Sequence, residues 1–258
     1  MRLTFLGTGT SFGIPQIGCG CAVCHSPDPR DRRSRVGALV ETDAGRRILI
    51  DTPPELRLQL VAAGVGAVDA VLFTHDHADH THGIDDLRAF SAATGRAVPA
   101  YASAETAAGL VRKFAYIFDD AMKALPGTYK PEGHLKLLEP WVPAEVAGEA
   151  VTPVVVPHGH ARVFGYRIGP LGYVTDAKVL PDDAVRVLRG VRVLVLNALF
   201  HRPHPTHLSI SEAVEAARRV GAARTYLTHL THHTSHASLE DELPPDVRPA
   251  YDGLVVEV

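Results

Sequence analysis

The segment Val71-Leu72-Phe73-Thr74-His75-Asp76-His77-Ala78-Asp79-His80 constrains this chain more than any other. An apolar run of strand character stops, and five of the next six positions carry an imidazole or a carboxylate. On a strand end that turns into a helix, His75 and His77 lie on one face and can chelate one ion. Asp79 and His80 then swing round toward a neighbouring ion. A lone His-x-His pair carries little weight, but this density directly after a strand points to a centre of two divalent metals.

Composition adds the setting for that centre. The 258 residues are 46% hydrophobic and 21% charged, enough for one sizeable buried core. The formal charge of −3 gives no global basic field for a nucleic-acid backbone, so nucleic acid is an unlikely partner. No charged n-region followed by an apolar h-region opens the chain, and no apolar stretch approaches the roughly 20 residues of a membrane span. The expectation is a cytoplasmic protein with no membrane partner. There are 15 histidines and only 3 cysteines, the latter packed into Cys19-Gly20-Cys21-Ala22-Val23-Cys24. Three thiols this close cannot build an intramolecular disulfide framework. They suit tetrahedral Zn²⁺, which needs a fourth ligand, and His25 is badly placed to bend back.

Short aliphatic or β-branched runs recur at residues 3–6, 38–41, 48–50, 70–73, 98–101, 151–156, 165–168, 172–174, 193–196, 225–227 and 254–258. Helical periodicity lies between them at 53–63, 84–93, 104–118, 181–188 and 209–220, the last opening on the capping box Ser-Ile-Ser-Glu and ending at Gly221. Mixed hairpin and crossover spacing with interleaved helices predicts two packed sheets with helices outside. The stretch 140–150 reads as a loop, and there is no repeat or low-complexity linker, so one domain spanning 1–258 is expected.

The motif His75-x-His77-x-Asp79-His80 resembles the signature of the metallo-β-lactamase superfamily, and the resemblance covers nearly the whole chain. Leu6-Gly7-Thr8-Gly9-Thr10-Ser11 is similar to the family's opening strand and turn, and Ile50-Asp51-Thr52 to its buried aspartate. The resemblance implies an α/β fold, a four-layer αββα sandwich, and extends the dinuclear ligand set to His158, Asp176 and His229. His160, two positions after His158, competes for the third-motif place. Asp176 would be the shared anionic bridge that two neighbouring dications need to offset their repulsion.

A Cys-x-Cys-x2-Cys insertion, here at about 18–35, resembles the phosphoribosyl 1,2-cyclic phosphate phosphodiesterase subfamily of phosphonate breakdown. That likeness implies a structural Zn²⁺ on Cys19, Cys21, Cys24 and His232. It also implies a catalytic histidine at His207, with His201 and His204 as neighbours that weaken the choice. The activity implied is hydrolysis of a small, cyclic ribose phosphodiester. Attack would come from a hydroxide bridging two Mn²⁺ or Zn²⁺ ions, with His207 assisting the leaving group and Asp79 both a ligand and an orienting group. A homodimer stays open. The rival readings are a transfer-RNA 3′-processing endonuclease, an acyl or thioester hydrolase, and a non-catalytic metal-binding or biosynthetic accessory protein. Arg88 is a candidate phosphate binder or a surface ion pair, and the histidines around 235–242 are expected to be solvated.

Overall fold

The computed structural model describes residues 1–119 and 121–258. Two seven-stranded sheets face each other. The first runs β14-β1-β2-β3-β4-β5-β6, built from β1 (Arg2–Gly7), β2 (Gly37–Glu41), β3 (Arg47–Ile50), β4 (Ala70–Leu72), β5 (Val98–Ala102), β6 (Gly133–Leu137) and β14 (Val255–Glu257). The second runs β13-β12-β11-β10-β9-β8-β7, built from β7 (Ala144–Val146), β8 (Glu149–His158), β9 (Ala161–Ile168), β10 (Leu171–Val174), β11 (Val193–Asn197), β12 (Arg224–Thr228) and β13 (Val247–Pro249). Each sheet is antiparallel on one side and parallel on the other, and the parallel connections carry the helices, as crossovers must.

On the first sheet these helices are α1 (Leu56–Ala62), the single turn α2 (Ala78–Thr81), α3 (Arg88–Thr94), α4 (Ala104–Lys113) and α5 (Ala115–Phe118). On the second they are α6 (Asp182–Leu188), α7 (Ile210–Val220) and α8 (His236–Glu242). The alternation within one strand explains the four layers. Leu72 belongs to the core between the sheets with Ile48, Ile50, Tyr166 and Tyr173, whereas Val71 packs outward with Leu56, Leu60 and Ile84. A strand buried on both faces reads as an unbroken apolar run, which is why β4 and β11 were legible as strands but not as one-sided ones.

Several features depart from the sequence reading, among them β6 and β13, which no expected strand run covers. Residues 140–150 are no plain loop, because β7 pairs with the start of β8 and forms the sheet's edge. The helix expected over 104–118 breaks at Phe114, whose φ of −130° and ψ of 45° are not helical. The helix α8 fell in a stretch without a decisive pattern.

The metal motif is locked onto the loop between β3 and α1 by backbone contact. The Thr52 amide donates to the His80 carbonyl at 2.8 Å and the Gly83 amide to the Thr52 carbonyl at 2.9 Å. A Cβ on Gly83 would lie 2.0 Å from the Pro53 carbonyl oxygen and 2.9 Å from the Leu56 Cβ, so only glycine allows this approach. Gly83→Ala is expected to cost about 1–3 kcal/mol through overpacking, read as a lower urea midpoint with an unchanged slope.

Candidate metal centre

The centre forms where loops leave the ends of β4, β8, β10 and β12. β4 stops at Leu72, and Thr74 is then tied to Asp51 twice, through its amide and its hydroxyl, both at 2.8 Å. Because that hydroxyl gives its only proton to Asp51, it must accept from the His75 ring Nδ1, 3.0 Å away. The His75 Nε2 is thereby left with its lone pair facing inward. Asp51 also accepts from the His80 Nδ1 at 2.7 Å, and the Thr206 carbonyl accepts from the His158 Nδ1 at 3.1 Å. Each partner fixes a ring and presents its Nε2 to the same space, the arrangement by which outer groups orient metal-binding imidazoles.

Asp176 sits in that space. Its Oδ2 lies 3.4 Å from His207 Nε2, 3.5 Å from His80, 3.7 Å from His75 and 3.8 Å from His158, and its Oδ1 lies 3.4 Å from His229 Nε2. Asp79 Oδ2 lies 3.6 Å from His80 and 3.8 Å from His229. These separations exceed the roughly 2.7–3.2 Å of an N–H···O hydrogen bond. Two atoms on one cation, at metal–ligand distances near 2.1 Å, stand about 3.0–3.6 Å apart, which the 3.4–3.6 Å separations match and the 3.7–3.8 Å ones approach. The ring nitrogens Nε2 of His75, His80, His207 and His229 are buried without a hydrogen-bond partner, a cost that a bound cation removes.

The groups that close on common points are His75, His77 and His158; His75, His80 and Asp176; Asp79, His80 and His229; and His158, Asp176 and His207. These ligands converge on one place in the fold only because strand ends meet there, since the contributing residues run from 75 to 229.

The electrostatics favour ligands in the right protonation state. Burial pushes His75 well below the usual histidine range and lowers His158 and His207. Burial would raise Asp176, but His229, His80 and His207 hold it well below the carboxylate range, so it stays anionic. His80 is the exception. Burial opposes its charge, yet Asp176 and Asp51 on its two sides hold it well above the usual value, so metal uptake there releases a proton.

Backbone strain marks the same place. Asp51, Asp176 and His229 adopt φ of 61°, 56° and 56°, a left-handed conformation uncommon outside glycine. All three follow strand ends, and their side chains turn inward because the backbone does. Such strain concentrates where side-chain placement matters more than backbone ease.

A second cluster lies apart from the first. His232 Nδ1 is 3.2, 3.3 and 3.6 Å from the sulfurs of Cys19, Cys21 and Cys24. Ligands on one tetrahedral zinc, at about 2.3 Å for sulfur and 2.0–2.1 Å for nitrogen, would stand about 3.6 Å apart. The Cys24 amide and the His232 ring bring the Cys21 thiol down to about 6, while burial pushes Cys24 up to about 11. One short loop carries His229 to the first cluster and His232 to the second. Its middle is held by the Leu230 amide donating to the Thr8 carbonyl at 2.9 Å.

Several sequence readings are now placed. His158 is in the centre, while His160 is exposed in the turn beyond it and belongs to neither cluster. Asp76 turns away to Lys113 at 2.8 Å, and a Cβ on Gly109 would meet its carboxylate at 2.1 Å. Arg88 is exposed and paired with Asp85. His25 contacts the Cys21 carbonyl, and His201 pairs with Glu242 at 2.6 Å. The expected solvation of His236 is wrong. It is buried with its ring 3.2 Å from the Arg33 guanidinium and its amide donating to Asp31, because α8 folds back over the turn that starts after β1. Thr74, Thr206 and Gly109 escaped the sequence reading, since a threonine or glycine beside a ligand carries no pattern of its own.

A sandwich of this topology with a buried histidine and aspartate cluster at its strand ends defines a metal-dependent hydrolase of the metallo-β-lactamase fold. The chain belongs to the β-lactamase superfamily, whose domain model matches residues 46–230. It is 38% identical over 259 residues to an octanoyltransferase of Porphyromonas gingivalis, covering 98% of this chain and 51% of that protein. The chain therefore spans about half the length of that relative. A crystal structure described as a new diphosphatase from the PhnP family superposes with a TM-score of 0.90 at 40% identity, covering 100% of this chain and 97% of that one. The zinc-bound PqqB of Methylobacterium extorquens shares the fold, with a TM-score of 0.82 at 19% identity over the full length of both chains.

Asp51 is the outer group on which two of these rings depend. Asp51→Asn sets an amide against the donors of Thr74 and His80 and leaves them short of an acceptor. It is expected to lower metal affinity by about 10–100-fold, measured as metal retained after dialysis, together with a lower melting temperature.

Proposed function

We propose that the chain is a dinuclear metal-dependent phosphodiesterase acting on a small, cyclic ribose phosphodiester. Asp176 carries the reading. One buried carboxylate facing five imidazole nitrogens is what two adjacent dications require and what one structural ion does not. His75, His77 and His158 would hold one ion, Asp79, His80 and His229 the other, and Asp176 both. When bound, such ions supply Lewis acidity at phosphorus and a water acidified toward neutrality. A phosphoryl substrate is supported by the 40% identical structure, described as a diphosphatase.

The remaining work falls to the protein's own groups. Asp79, held low by His229 and His80 against its burial, stays anionic beside the reacting centre. His207 stands next to Asp176, its Nδ1 held by the Thr206 hydroxyl at 2.8 Å, and its Nε2 faces the space where the leaving oxygen would depart. There it would protonate that oxygen or support its charge by a hydrogen bond. Zn²⁺ on Cys19, Cys21, Cys24 and His232 would fix the loop that carries His229, and Mn²⁺ or Zn²⁺ fits the His and Asp set of the dinuclear site. A second reading, cleavage of a diphosphate, is supported by the description of that same relative and uses the same site with a phosphate as leaving group. The acyl chemistry named for the longer relative belongs to a protein of twice this length.

His207→Ala should leave both metals bound while slowing an alkoxide-releasing diester by about 10²–10⁴-fold and a p-nitrophenolate ester far less. Metal loss in that variant would make His207 a ligand instead. Equal slowing of both substrates would make it a binder of phosphoryl oxygens. Bis(p-nitrophenyl) phosphate, a diphosphate, a lactone and a transfer-RNA precursor, assayed together, separate the reaction classes.

Cys21→Ser should remove one zinc per chain and lower the melting temperature, since a structural zinc contributes on the order of 10 kcal/mol of apparent binding free energy. An unchanged zinc count would reject the four-ligand site.

A further inference from the structure

Of the three imidazoles that close on one point of the centre, two are fixed from behind, His75 by the Thr74 hydroxyl at 3.0 Å and His158 by the Thr206 carbonyl at 3.1 Å. His77 is not. It is exposed, its ring has no hydrogen-bond partner among the described residues, and it meets the edges of His75 and His158 at 4.5 and 5.2 Å between centroids. His229 also lacks such a partner, but it is buried, with the rings of His80 and His207 stacked against it.

The place of His77 is therefore set by its backbone. On its C-terminal side the His77 carbonyl accepts from the His80 amide at 3.1 Å and from the Thr81 hydroxyl at 2.8 Å. On its N-terminal side stands Asp76, where Lys113, the last residue of α4, donates both to the carbonyl and to the carboxylate, the latter at 2.8 Å. A lysine ending a helix can serve the helix's own last carbonyls. Lys113 serves the metal loop instead. Gly109 stands one turn earlier on the same face of α4 and leaves the room that the Asp76 carboxylate fills, since a Cβ there would lie 2.1 Å from it.

We infer that Lys113 and Asp76 are the positioning pair for His77, taking the part that Thr74 and Thr206 take for the other two rings, and that they set how tightly the ion on His75, His77 and His158 is held relative to its neighbour. An exposed imidazole on a loop free at one side would lose conformational freedom on binding an ion, and the pair removes that freedom beforehand. The side chains of Lys113 and Asp76 are 32% and 30% exposed, so the pair contributes little to overall stability and its loss should leave the protein folded. The comparison of two ions rests on the dinuclear reading above, whereas the dependence of His77 on Lys113 does not.

The test is a Mn²⁺ titration of the protein stripped of its catalytic ions, followed by electron paramagnetic resonance, which tells a spin-coupled pair of ions from a single one. In Lys113→Met one ion should bind as in the wild type and the other about 10–100-fold more weakly, so that the coupled signal appears only at correspondingly higher Mn²⁺. Lys113→Arg should restore the wild-type curve. Gly109→Ala favours a helix in itself, yet by displacing Asp76 it should weaken the same ion, which a general loss of stability would not explain. Weakening of both ions alike in Lys113→Met, or of neither, overturns the inference. If the wild type takes up a single ion at every Mn²⁺ concentration, the dinuclear reading falls and the pair is judged on that ion: weaker binding in Lys113→Met, restored by Lys113→Arg, sustains it, and unchanged binding overturns it.

Discussion

Asp176 is negative, buried and surrounded by imidazole nitrogens at 3.4–3.8 Å, too far for hydrogen bonds and close enough to share cations. Left to itself, such a group would be a heavy desolvation cost in the interior of a domain. The fold meets that cost by bringing histidines to it from both sheets. His75 and His80 arrive from the first sheet, and His158, His207 and His229 from the second. The core between the sheets fixes the distance between these two contributions, so the packing of Ile48, Ile50, Tyr166 and Tyr173 also sets the geometry of the site.

Behind the inward-facing atoms stands a set of neutral or single-purpose partners. Thr74 donates its hydroxyl hydrogen bond to Asp51 and so dictates which nitrogen of His75 is free, and the Thr206 carbonyl, by accepting from Nδ1, does the same for His158. The turn after β1 ties these parts together. Arg33, buried, donates to the Thr8 hydroxyl at 2.8 Å, and that hydroxyl donates to Asp252 at 2.7 Å. Gly7 and Gly9 allow this turn, because a Cβ on either would press against the backbone of residues 33–35. The Gly-Thr-Gly-Thr run thus serves the loop of His229 as much as its own strand.

Much of this was legible in the sequence, for a physical reason. Strands buried on both faces leave unbroken apolar runs, and ligand residues placed at their ends stand out against that background, as at His75–His80 and Asp176. The capping box of Ser209 and Glu212 is local chemistry and was read correctly for the same reason. What escaped depends on contacts between distant segments. The hairpin of β7 and β8 has weak periodicity at a sheet edge, and Gly109 matters only because Asp76, 33 positions earlier, lies against it. The burial of His236 depends on Arg33 and Asp31, some 200 residues away. No local pattern encodes such pairs.

The loop from His229 to His232 has a consequence for how the protein is made. Cys19, Cys21 and Cys24 leave the ribosome early, and the His75–His80 group soon after, yet each cluster lacks a member until β12 and the residues following it exist and have docked. Before that point, any ion captured by either partial set would be held by fewer ligands and would exchange readily. Ions loaded into the two clusters would therefore be tied to one docking step, that of the loop from His229 to His232, rather than to the order in which their ligands appear along the chain.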